Sequence, residues 1–302
     1  MQNIYEAVSA NKQRTWVIMI LFTLFITASA WIMGEALGYG PGFVGWALII
    51  SGFISLGSYW WSDKIILSIS GARLATRQEF FNFYTAAENL AMSAGLPNPR
   101  LYVIDDTAMN AFATGRDPQH AVVCATTGLL QRLDRSEIEG VIAHELSHIQ
   151  NYDIRLMSIV TILVGMVTLM ADWFMRASFW GKGKRDKDGE GQIRTIIAIA
   201  GVVLALLSPI IANLIKLALS RRREYLADAS AIKLTRQPSG LINALLKISQ
   251  DKEPLEAANK ATAHLYIANP LKNRHDGIGW FANLFSTHPP VEDRIKALKG
   301  ML

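Results

Sequence analysis

His144-Glu145-Leu146-Ser147-His148 sets two imidazoles four residues apart, so on a helix they share one face about a turn from each other. That spacing lets both rings reach a single metal ion. Glu145 projects beside them, where its carboxylate can accept a proton from a water whose acidity the metal has raised. A pentapeptide this short can arise by coincidence, and its surroundings decide against that. Asp134 followed by Glu137 forms a capping-box pattern, and Ile138, Val141, Ile142, Leu146 and Ile149 recur at helical spacing, so the motif lies on a capped amphipathic helix.

Working outward, short runs rich in β-branched and aromatic residues at 101–104, 111–114 and 121–125, separated by Asp, Gly and Pro, read as strands of a small sheet. Before them, Phe80, Phe81, Tyr84, Ala87, Leu90 and Ala91 trace an amphipathic helix that Gly95 and the Pro-containing stretch 96–99 bring to an end. After the motif, helices are expected through Leu234, over 241–248 and over 291–298.

A catalytic metal needs a third protein ligand and one open position. The stretch 220–228, Ser-Arg-Arg-Arg-Glu-Tyr-Leu-Ala-Asp, places Glu224 and Asp228 four apart on one helical face. Glu224 completes a two-histidine, one-glutamate site, and Asp228 can fix a ligand histidine through its far nitrogen. The alternative is a solvated face in which both acids pair with Arg221, Arg222 and Arg223.

The composition points to a membrane. Of 302 residues, 51% are hydrophobic and 18% charged, against roughly 25% charged in ordinary soluble domains. Apolar runs at 16–33 and 43–61 make a helical hairpin, the second ending in Tyr59, Trp60 and Trp61. Lys12 and Arg14 precede the hairpin and Lys64, Arg73 and Arg77 follow it, while its connection holds no Lys or Arg, so both ends face the cytoplasm. A signal peptide cut near Ala28-Ser29-Ala30 is the competing reading of the first run. Two further runs, 156–171 and 195–215, flank a segment carrying Arg176, Lys182, Lys184, Arg185, Lys187 and Arg194. Those charges conflict with full spanning by both, and the shorter run suits a buried core helix or a partly inserted segment equally well. The net charge of +5 sits largely beside apolar runs, which argues against a nucleic-acid partner. Cys124 is the single cysteine, so no intrachain disulfide forms and a reduced, cytoplasmic-side domain is favoured.

Four stretches, HELSH at 144–148, SRRREYLAD at 220–228, NAFATG at 110–115 and THPPVEDRI at 287–295, resemble the HtpX family of bacterial membrane zinc metallopeptidases, related to the CaaX prenyl proteases. The resemblance implies a gluzincin-type core on the cytoplasmic side of the inner membrane, one zinc ion and proteolytic quality control of misfolded or damaged membrane proteins under stress. The expected fold is a mainly α integral membrane protein, multi-pass, with a zincin-like α+β metallopeptidase domain and a small sheet. Residues 1–63 form the N-terminal hairpin, 64–155 and 220–302 the two parts of the catalytic domain, and 156–219 a second hydrophobic hairpin. Asn110, Ala111, Phe112, Ala113 and Thr114 then read as an edge strand that pairs with an extended substrate, the bland alternative being an ordinary strand and turn. His288 and Arg294 match the late motif, and either can stabilise the oxyanion of peptide hydrolysis. His288 can equally cap the last helix, and Arg294 can equally partner Asp228 or Glu224. His120, His264 and His275 show no ligand spacing and read as surface or loop residues. A non-catalytic zinc-stabilised scaffold and a protease dedicated to one processing event are the competing functions.

Overall fold

The computed structural model describes residues 4–37, 41–180, 221–258, 262–268, 270 and 289–301. Two long helices open the chain, α1 (Ile4–Leu37) and α2 (Pro41–Ile69). They run antiparallel, as Trp16 stacks on Tyr59 at 6.1 Å and Thr23 Oγ1 lies 3.1 Å from Ser55 Oγ. On α2 the polarity is inverted. Ser51, Ser55, Ser58 and Ser62 recur at helical spacing and are buried, whereas Trp46, Ile50, Phe53, Trp60 and Trp61 point outward, Phe53 at 72% exposure. Small polar residues let helices approach closely, and an apolar exterior is stable only when something other than water covers it. Among the described residues, 44–69 is the one helical stretch long and apolar enough to cross a membrane by length and composition.

Gly71, at φ +61°, turns the chain into β1 (Arg73–Leu74). Then follow α3 (Phe81–Ser93), β2 (Arg100–Ile104), β3 (Ala111–Thr114), β4 (Val122–Thr126) and α4 (Thr127–Arg132). The sheet order is β1-β2-β4-β3, with β2 and β4 parallel and the outer pairs antiparallel. The three expected strands shift by a residue at most, while β1 and α4 carry no sequence signal because each is too short to show a period.

α5 (Arg135–Gln150) holds the histidine motif and is followed by α6 (Asp153–Trp180). Past the undescribed stretch come α7 (Arg221–Thr235), α8 (Pro238–Gln250) and α9 (Val291–Lys299). Both faces of the sheet are covered. Val103, Ala111, Ala113, Val123 and Ala125 pack with Phe83, Leu90, Ile142, Leu146, Leu241 and Leu245. Alternate residues Ile104, Phe112 and Cys124 join Ile18, Met19, Phe22, Ile66, Leu156, Val160 and Leu163 on the other side. A strand buried on both faces reads as a continuous apolar run, as β4 does. The 156–171 run thus begins as a buried core helix, with Leu156 to Val164 enclosed and the helix already under way from Asp153. The 195–215 run lies outside the described residues.

Candidate metal centre

Position begins with the cap of α5. The Asp134 carboxylate accepts the Glu137 backbone N–H at 2.9 Å, and the Glu137 carboxylate accepts the Asp134 N–H at 2.8 Å. Lys247 on α8 donates to the same Glu137 at 2.6 Å. Further along, a Cβ on Gly140 would meet the Leu241 backbone N at 2.6 Å, and one on Gly240 the Ser136 carbonyl at 2.4 Å. Only paired glycines allow α5 and α8 to touch backbone to backbone.

The helix so pinned buries His144, Glu145 and His148 at 0, 3 and 4% exposure. α7 packs across it and brings in Glu224, 2% exposed. The two histidine Nε2 atoms stand 3.2 Å apart, and the Glu224 oxygens lie 3.7 Å from that of His144 and 3.6 Å from that of His148. One ligand atom from each of the three residues falls within 4.8 Å of the others.

The far nitrogens are each held by a carboxylate. His144 Nδ1 is 2.9 Å from Asp228 Oδ1, and His148 Nδ1 is 3.0 Å from Asp153 Oδ2. A ring N–H donated to a carboxylate fixes the tautomer, so both Nε2 atoms present lone pairs to each other and to Glu224. Three electron-pair donors converging this way repel unless a cation lies among them, and the set suits a divalent metal. Without a metal the same negative field favours a proton there: burial disfavours a charged His148, yet the bond to Asp153 and the charges of Glu224, Asp153 and Glu145 raise it to about 9, and a metal would displace that proton.

Arg294 on α9 is fully buried and grips Asp228 with two parallel bonds, Nε to Oδ2 at 2.9 Å and Nη2 to Oδ1 at 2.6 Å. Burial works against the Asp228 charge, but the Arg294 charge and bonds, with those of His144, hold its carboxyl down at about 2. Of the two readings of Arg294, these contacts are those of a partner for Asp228. Asp153 and Asn11 join the site without having been singled out, and Arg223, read from the sequence only as a partner for the two acids, donates to Asn11 at 3.0 Å. Asp153 lies just past the end of α5, where Tyr152 adopts φ +59° and turns the chain back towards His148. An acid placed shortly after the motif was the available signal; Asn11, on α1, carried none.

β3 forms one edge of the sheet. Thr126 N–H donates to the Asn110 carbonyl, so even-numbered residues face β4, and the backbones of Ala111 and Ala113 point away from β4 in a strand that is buried throughout. The Ala111 carbonyl accepts the Ile267 N–H at 2.9 Å, and the Asn110 side chain bonds the Ala268 carbonyl at 3.1 Å. The near end of this edge is therefore occupied by the chain itself. His120 pairs with Asp117 on the surface, and His288 and His275 lie outside the described residues.

A buried HExxH helix, with a glutamate from a second helix completing the donor set, defines a metallopeptidase. The chain belongs to peptidase family M48, whose model matches residues 79–302, and within it to the HtpX proteases. The protease HtpX homolog of Dictyoglomus thermophilum is 45% identical over 98% of this chain and 94% of its own. Those of Ligilactobacillus salivarius and Caldanaerobacter subterraneus are 43% and 40% identical over 99% of this chain, covering 100% and 98% of theirs. The crystal structure of S. mikatae Ste24p has a similar fold, at TM-score 0.51 and 20% identity. The match covers 94% of this chain and 66% of that one.

Proposed function

We propose that this metallopeptidase is a membrane-embedded zinc endopeptidase in which His144, His148 and Glu224 hold one zinc ion and Glu145 is the general base. The observation that carries the reading is the convergence of three lone-pair donors whose other sides are tied to carboxylates. Zinc–nitrogen bonds of about 2.0–2.1 Å in tetrahedral geometry separate two ligand nitrogens by roughly 3.3 Å. The 3.2 Å between the histidine Nε2 atoms suits that spacing. Bound there, zinc supplies polarisation of the scissile carbonyl and acidifies the attacking water.

The protein's own groups do the rest. Glu145 takes the water proton and later passes it to the leaving amine. Asp228 and Asp153 hold the ligand imidazoles in register, and Arg294 acts through Asp228 as a positioning residue. For the oxyanion we propose His288, on its match to the late motif alone. An extended substrate pairs with the 110–114 edge, chiefly at the outward N–H and C=O of Ala113, for which no partner occurs among the described residues. Backbone pairing tolerates many sequences, which favours broad clearance of unfolded or misfolded membrane proteins over one processing event.

The inverted polarity of α2 supports a place in the bilayer. So do three contacts between aromatic and basic groups: Arg116 lies over Trp60 at 4.8 Å, Arg155 over Tyr59 at 5.4 Å and Lys12 over Tyr152 at 4.4 Å. Basic residues at both hairpin ends support a cytoplasmic position for this side, at a bacterial inner membrane. Because α5 and α7 meet, the chain between them crosses the bilayer an even number of times or not at all. Residues 1–63 then anchor the catalytic parts 64–155 and 220–302.

The test is zinc content and cleavage of an unfolded protein, measured on detergent-purified wild type and Glu145→Gln. About one zinc per chain in both, with cleavage only by wild type, is the expected result. Zinc in both with cleavage in neither would point to a scaffold, and no zinc in either would sink the site.

A further inference from the structure

Asn11 sits on α1, outside the stretch that the peptidase family covers, yet it is 2% exposed and every hydrogen-bonding group of its amide is spent at the metal centre. Nδ2 donates to the Asn151 carbonyl at 3.0 Å and to Asp153 Oδ1 at 2.7 Å. Oδ1 accepts Arg223 Nη1 at 3.0 Å. The other oxygen of Asp153 holds His148 Nδ1, and Arg223 directly precedes Glu224 in α7. One amide therefore clamps the turn behind one ligand to the helix carrying another. Buried amides are costly unless fully bonded, and here both donor contacts and the acceptor contact are made, those to Asp153 and Arg223 by groups adjoining ligands.

We infer that Asn11 is a positioning residue for the metal, so that α1, half of the proposed anchor, is also a working part of the centre. The chain of contacts runs from Asn11 through Asp153 to His148 and through Arg223 to the start of α7. The inference rests on His148 and Glu224 being ligands. Groups that orient ligands from behind typically change metal affinity 10–100-fold when lost, because the imidazole then swings and its lone pair is less well aimed.

The test uses the full chain in detergent micelles, stripped of metal. Zinc affinity by chelator competition and the visible absorption of the cobalt form are compared for wild type, Asn11→Ala, Asn11→Asp, Thr15→Val and His148→Ala. Asn11→Asp keeps the volume and removes both N–H donors. Thr15 is equally buried one turn along α1 but bonds only the Asn11 carbonyl, so its variant reports helix packing alone. Expected are a 10–100-fold rise in the zinc dissociation constant and a changed cobalt spectrum in the Asn11 variants, with Thr15→Val unaltered. Should the alanine variant fail to fold, the aspartate variant carries the comparison. Folded Asn11 variants that bind zinc within about twofold of wild type would overturn the inference. So would an equal loss in Thr15→Val, or the failure of both Asn11 variants to fold beside a folded Thr15→Val. Undiminished zinc binding by His148→Ala would instead overturn the ligand assignment beneath it.

Discussion

Asp228 and Asp153 do the same job from different elements: each takes the far N–H of a histidine on α5 with one oxygen and is itself held by a buried partner, Arg294 or Asn11. Sequence spacing exposed one of the pair, because Asp228 lies four residues from Glu224, and hid the other. The different burdens on these residues separate their variants. Glu145→Gln should keep the metal and lower peptide cleavage by about 10²–10⁴-fold, read in a steady-state assay, since a general base contributes that much. Asp228→Asn leaves Arg294 charged, buried and without its counter-charge, so it should cost about 3–5 kcal/mol in denaturant unfolding. Cys124 illustrates a group made inert by its surroundings. Burial pushes its thiol well above the usual range, and an alkylating reagent should modify it only after unfolding.

At the scale of elements, α5 is the pivot. The capping box was legible at Asp134 and Glu137, and so was the amphipathic stripe. The third contact, backbone against backbone with α8, was not, because Gly140 and Gly240 look like ordinary helix-weakening glycines until the two helices are seen to cross. Gly140→Ala should force α8 away and lower stability by about 1–3 kcal/mol, measured by thermal or denaturant melting. The cap also carries a pH signature. The Glu137 backbone bond and the Ser136 side chain hold the Asp134 carboxyl below its ordinary value, so its contribution is present above the unfolded pKa and is lost as pH falls through the folded one. In acid titrations of stability, Asp134→Asn, which still caps, should lack this component.

Across the whole molecule, the site is an assembly of α1, α5, the turn into α6, α7 and α9, drawn from both ends of the chain. Metal bound to such an assembly has no comparable site in the unfolded chain, so it stabilises the fold by mass action. At free zinc one hundred times the dissociation constant, the gain is about 2.7 kcal/mol. Chelation should therefore lower the melting temperature, and the drop should reverse on adding zinc back. No shift on chelation would separate the centre from the fold.

What the sequence determined by itself is whatever rests on short spacing. Two histidines at i and i+4, the glutamate between them, the acidic pair at 224 and 228, the strand runs and the apolar hairpin all follow from local periods of the chain. The tertiary structure alone decided which distant groups close the circle. Asn11 is 142 residues from Asp153, and Arg294 is 66 from Asp228. The edge of β3 is partly taken by residues 267 and 268, and α6 begins inside the core. The physical reason is that secondary structure is set by neighbours along the chain, whereas the partner of a buried polar group is set by which elements pack together, and no local period records that.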